Sequence, residues 1–134
     1  MTLRRALAAS CLLPVLAIAL AAPAQAASGA PSGGRIVGDW TTSTDGVAQT
    51  VTFTRDGKVN GNAGCNRIVG GYSVDGSTID IGQLATTLMY CEGAMDAERA
   101  LLKALEKSTA YTVKGEKLTL FGPKGKATVR LTAS

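Results

Sequence analysis

The sequence predicts a mainly β (α+β) domain, a small antiparallel meander β-barrel with one helix packed on it. Three observations lead there. Apolar residues alternate with Thr and charged residues in short segments, Gly and Asp-Gly pairs punctuate those segments, and only one stretch switches to a helical period. About seven or eight short antiparallel strands would leave costly free edges unless the sheet curls and closes on itself.

The first segment to be set aside is the N-terminus of the 134-residue chain. Arg4 and Arg5 precede an almost unbroken apolar stretch from Ala6 to Ala22, and Ala24-Gln25-Ala26 is a small-x-small cleavage site. That order of parts is a secretory signal peptide over 1–26, and the mature chain of about 108 residues is one domain. Pro14 and Pro23 interrupt the stretch, which falls short of the roughly 20 residues of a spanning helix, so no stable membrane span is expected. Cys11 follows a run of small residues, but the apolar segment lies mostly after it, where a lipidated cysteine needs it before; the sequence argues against a lipoprotein anchor. The expected location is therefore exported, periplasmic or extracellular. Removing Arg4 and Arg5 lowers the net charge from +4 to about +2. Together with the lack of any basic run, this excludes a nucleic-acid footprint.

Residues 27–34 are rich in Ala, Ser, Gly and Pro and read as a flexible leader, with the domain over 35–134. Ile36 to Thr41 opens the β pattern, with Trp40 expected to plug one end of the core. Gln49 to Arg55 alternates Val51 and Phe53 against threonines, and Asp56-Gly57 turns it into a partner strand over Lys58 to Ala63. Ile68 to Val74 and Thr78 to Ile81 flank Asp75-Gly76 in the same way. Asp96 to Lys107 then places Ala97, Leu101, Leu102, Ala104 and Leu105 at helical spacing, with its charged residues, Glu98 among them, on a solvated face. Ala110 to Lys114, Lys117 to Phe121 and Ala127 to Leu131 complete the meander.

Cys65 and Cys91 are the two cysteines of the mature chain, and in an oxidising compartment they form one disulfide. A bridge closing about 27 residues stabilises the fold by roughly 3 to 3.5 kcal/mol on the chain-entropy model. The alternative, a metal-binding pair, lacks ligands: there is no histidine and no C-x-x-C, and two thiolates do not complete a zinc site. The same lack of histidine removes Ser-His-Asp and Cys-His catalysis, and nothing singles out a serine for a Ser-Lys dyad. Asp45, Asp56 and Asp75 each precede glycine, as turns require, so no acid pair is set aside for glycoside chemistry. The stretch from Asp56 fails as a calcium loop, because Lys58 and Arg67 stand where oxygen ligands are needed. No catalytic residue, metal site or cofactor is predicted. Met89 and Tyr90 read as core and rim respectively.

Val59-Asn60-Gly61-Asn62-Ala63-Gly64-Cys65-Asn66, then Gly71-Tyr72-Ser73-Val74, then Leu84 to Cys91 and the helix through Leu105 resemble the META domain family, which includes the HslJ-like heat-inducible envelope proteins. The similarity covers about Ile36 to Leu131, and G-x-x-G-C-N, G-x-Y and T-x-M-x-C in fixed order are more specific together than any one alone. The resemblance implies a calycin-like barrel and an envelope setting. It gives Gly61, Gly64, Asn66, Gly71, Tyr72, Thr87 and Met89 structural roles as family motif residues. It associates the chain with heat stress and antibiotic (novobiocin) tolerance and brings no reaction with it. Two functions follow as expectations. The first is a monomeric, non-enzymatic stress-response binding module, acting on an unknown protein or small molecule through the barrel mouth or a sheet edge. The second is a secreted protease or hydrolase inhibitor presenting a loop such as Gly122 to Gly125.

Overall fold

The structure, a computed structural model, describes residues 33–134. The expected signal peptide over 1–26 and most of the leader lie outside the described residues. A one-turn helix α1 (Gly33–Ile36) is followed by β1 (Gly38–Thr44), β2 (Val47–Phe53), β3 (Lys58–Asn62), β4 (Arg67–Asp75), β5 (Thr78–Ile81) and β6 (Ala85–Thr86). Helix α2 (Met95–Lys107) and strands β7 (Ala110–Lys114), β8 (Lys117–Phe121) and β9 (Ala127–Ala133) follow.

Local chemistry makes the hairpins. Between β1 and β2, Asp45 and Gly46 both take positive φ, 51° and 81°, the backbone twist that a two-residue hairpin loop matches to its strands. Register then follows, with Trp40 opposite Val51 and Gly38 opposite Phe53. Alternation puts Val51, Phe53, Val59, Ile68, Ile79, Ile81, Leu118, Leu120 and Leu131 inside while threonines and lysines face out.

The nine strands of the described residues belong to one antiparallel sheet in the order β3-β2-β1-β9-β8-β7-β5-β4-β6, and β3 also pairs with β4. That last pairing joins the two sides of the sheet, so eight strands form a barrel-like ring. The first and last strands meet: Trp40 lies opposite Ala133 and Thr41 opposite Thr132. The weakest seam is between β5 and β7, held by the pairing of Thr78 with Ala110. Two details depart from the sequence reading. Ile36 belongs to a helical turn and not to the first strand, and β6 is an additional two-residue strand along β4.

Both ends of the ring are filled. At one end the side chain of Ile36 is fully buried, α1 packs on β4, and the Trp40 indole N–H donates to the Ile36 carbonyl at 2.8 Å. The expected plugging role of Trp40 is what the structure has. At the other end α2 lies across β1, β5 and β9 and inserts Leu101 and Leu105 into the core. Gln49, buried at this end, donates its amide to the carbonyls of Ala63 and Ala97 at 2.7 and 2.9 Å and accepts from the Thr44 hydroxyl at 2.8 Å. It ties β2 to both the helix and the end of β3.

Candidate functional site

The helix-covered end carries the segment that stands out from the rest of the surface. Val69, Leu88, Met89 and Tyr90 are the exposed large apolar residues among the described residues, and all belong to β4 or to the loop that follows β6. Leu88 is 94% exposed and Tyr90 79%, so their side chains stand clear of the body of the protein. Elsewhere on the described surface large apolar side chains are covered, which makes this concentration the feature to explain.

A buried asparagine builds the segment. Asn66 lies between β3 and β4 and is 2% exposed. Its side-chain oxygen accepts from the Thr87 hydroxyl at 2.8 Å and from the Met89 backbone N–H at 2.6 Å. Its side-chain nitrogen donates to the Met89 carbonyl at 2.9 Å and to the Glu98 carboxylate at 3.2 Å. The backbone N–H of Asn66 also reaches that carboxylate, at 3.3 Å. A single amide therefore fixes both backbone groups of Met89. Thr87 is held a second time by its exchange with Arg67, donating from its N–H to the Arg67 carbonyl and accepting the Arg67 N–H on its hydroxyl.

Two further anchors frame the loop. Cys65 and Cys91 form the predicted disulfide, which bridges the residue before Asn66 to the end of the exposed segment. The first turn of α2 supplies Glu98, only 3% exposed, which packs its carboxylate inward against Asn66. No buried side-chain nitrogen or oxygen among the described residues lacks a partner, so this polar cluster is fully satisfied and rigid.

A family profile of the META domain matches residues 35–134. The chain belongs to the META domain family. No curated protein matches it. Among solved structures it is similar to an NMR structure of a protein from Burkholderia xenovorans, with a TM-score of 0.60 and 22% identity over 77% of this chain and 86% of that one. It is also similar to a crystal structure of a DUF4847 family protein from Bacteroides vulgatus, with a TM-score of 0.53 and 21% identity over 64% of this chain and 59% of that one. A third, an NMR structure, gives a TM-score of 0.56 at 16% identity over 73% and 90% of the two chains. At these identities the likeness is one of fold.

The META motif residues divide into two groups. Cys65, Asn66, Thr87, Met89 and Cys91 meet in the cluster just described, and Gly61 and Gly64 lead the chain into it. A Cβ on Gly61 would stand 2.0 Å from the Thr50 carbonyl oxygen, and one on Gly64 2.7 Å from a Val47 methyl, so neither position admits a side chain. Gly71 and Tyr72 lie further along β4, away from the loop. There the Tyr72 hydroxyl donates to the Thr54 carbonyl at 2.6 Å and its ring packs edge-on to Phe53, centroids 4.9 Å apart. Burial holds the phenol above its ordinary pKa, with Tyr111 and Asp56 adding to the effect.

Two expectations fail here. Met89 is not a core residue: Asn66 draws its backbone inward, and its side chain is 57% exposed. Glu98 is not part of the solvated helix face, because at the start of α2 it sits over the β3–β4 link instead of facing water. The Gly122 to Gly125 turn is closed by backbone bonds between Gly122 and Lys126 and between Gly125 and Gly122, and it presents Lys124 without a large apolar side chain. Sequence reasoning passed over Leu88 and placed Glu98 on the wrong face. The available signal was three large apolar residues in succession, Leu88-Met89-Tyr90, directly before a cysteine.

Proposed function

We propose that this META domain is an exported, non-enzymatic binding module of the bacterial envelope stress response, and that it engages a partner protein through the segment from Ala85 to Cys91. The observation that carries the reading is the convergence of exposed apolar side chains on a segment held by Asn66 and a disulfide. A pre-ordered apolar segment loses little conformational freedom when it docks, so its contacts count toward affinity. The barrel mouth is the weaker alternative, since Ile36 and Trp40 occupy one end and α2 covers the other. The disulfide supports an oxidising compartment, in keeping with the signal-peptide reading.

The test combines export with capture. The protein recovered from the envelope fraction is expected to begin near Ala27. A photo-crosslinking residue at position 88 is expected to trap one envelope protein, whereas the same residue at Thr119 on the outer wall traps none. Recovery of the full-length chain from the cytoplasm, or equal capture at both positions, overturns the reading.

A further inference from the structure

The shape and hydrogen-bonding state of the exposed segment say what kind of partner fits it. Met89 has both backbone groups bound to Asn66, but among the described residues neither Leu88 nor Tyr90 makes any hydrogen bond, by backbone or side chain. Two residues therefore project apolar side chains together with free main-chain donors and acceptors. A second copy of the chain is a poor match. Two projecting loops are not complementary to each other, as a two-fold contact requires. A bilayer is excluded by the backbone, because hydrocarbon offers no partners for those N–H and C=O groups. What remains is a protein cleft that supplies an apolar pocket and main-chain hydrogen bonds side by side, which is how a peptidase holds its substrate as an added strand.

One further feature separates a peptidase from other peptide-binding clefts. The bond from Leu88 to Met89 is held from both sides: Thr87 on the acyl side, by Asn66 and Arg67, and Met89 on the amine side, by Asn66. The disulfide from Cys65 to Cys91 spans this bond, so a cut there leaves the two pieces in one covalent molecule.

Resting on the binding-module reading, we infer that the Leu88–Met89 bond is offered, substrate-like, to a serine peptidase whose primary pocket takes a large apolar side chain, and that the domain inhibits that enzyme reversibly. In the cleft the serine oxygen adds to the Leu88 carbonyl carbon, the bond to the Met89 nitrogen breaks, and the enzyme's histidine passes the serine proton to that nitrogen. Pinned by Asn66 and the disulfide, the new amine stays within reach of the acyl carbon. It re-forms the peptide bond, and the proton returns to the serine through the same histidine.

The experiment uses the purified, disulfide-bonded protein against chymotrypsin, subtilisin, pancreatic elastase and trypsin. The expected result is inhibition of chymotrypsin or subtilisin at about 1 μM or below, with trypsin unaffected. Leu88→Lys, a change at a side chain that touches little else, is expected to weaken the first inhibition about 100-fold and to create trypsin inhibition. Long incubation is expected to yield a form cut between Leu88 and Met89, whose pieces separate only after reduction and which the peptidase re-ligates. No inhibition across the panel, a Leu88→Lys variant that leaves trypsin untouched, or degradation at scattered bonds overturns the inference. The binding-module reading fails separately: position 88 capturing a protein that is not a peptidase sinks only the inhibitory role, whereas capture of nothing specific sinks both.

Discussion

The two ends of the strand ring are closed by opposite means. At one end Ile36 is buried under Trp40, whose indole N–H donates to the Ile36 carbonyl, and the polar link besides it is an exposed one, from the Arg35 guanidinium to the Val113 carbonyl. At the other, Gln49 and Asn66 are buried beneath α2, and with the helix's own Glu98 they fix the helix, the β3–β4 link and the exposed loop. Apolar contact is non-directional and tolerates small shifts of its members, whereas a satisfied polar network specifies one geometry. The exposed loop attaches to the polar end. The asparagine amide fixes the backbone of that loop in a way that packing alone would not.

Asn66→Ala should strain this contrast most. It strips Met89 of both backbone partners and leaves the buried Glu98 carboxylate with one donor fewer, so a loss of about 3–5 kcal/mol is expected by urea unfolding. Amide exchange should rise sharply at Met89. A loss below about 1 kcal/mol would mean that water replaces the amide freely and that the polar end is not specific. Next is Ile36→Ala at the apolar end, expected to cost about 2–4 kcal/mol through lost burial and a residual cavity. Here the loop signals should not move, and displaced resonances at Leu88 would show the two ends to be coupled. Cys91→Ser is expected to cost about 2–4 kcal/mol, through the unfolded chain's regained freedom. An unchanged melting temperature would show that Asn66 alone holds the segment.

The smallest effect concerns Tyr72, which packs on Phe53 and bonds the Thr54 carbonyl. Tyr72 is held above its ordinary pKa of 10.0, by burial first. The protonated phenol is the form the fold prefers, so its contribution is fully present below about pH 10 and is lost as pH rises through the folded value. Tyr72→Phe should abolish that part of the alkaline fall in stability in a pH series of thermal melts, and an unchanged slope would assign the fall to other groups.

The legibility of this protein in its sequence follows the distance over which its interactions act. Asp45-Gly46, Asp56-Gly57 and Asp75-Gly76 announce their turns because the φ values a turn needs are a property of one or two residues. The α2 stripe of Ala97, Leu101 and Leu105 is a period of one segment, and the pairing of Cys65 with Cys91 follows once Cys11 is assigned to the expected signal peptide, which leaves two cysteines. Met89 illustrates where this reading fails. Its hydrophobicity suggests the core, but an asparagine 23 residues away decides which part of it turns inward. Strand β6 is likewise invisible, because two residues have no measurable alternation and exist as a strand only beside Ile68 and Val69.

By itself the sequence determined the strand segments, helix α2, the turn positions and the disulfide, since each is written in neighbouring residues or in simple counting. The tertiary structure alone decided that β1 pairs with β9, that both ends of the ring are filled, and that Glu98 and Asn66 meet across 32 residues to support an exposed loop. Those outcomes depend on which surfaces remain uncovered once the ring has closed, and no local pattern of residues carries that information.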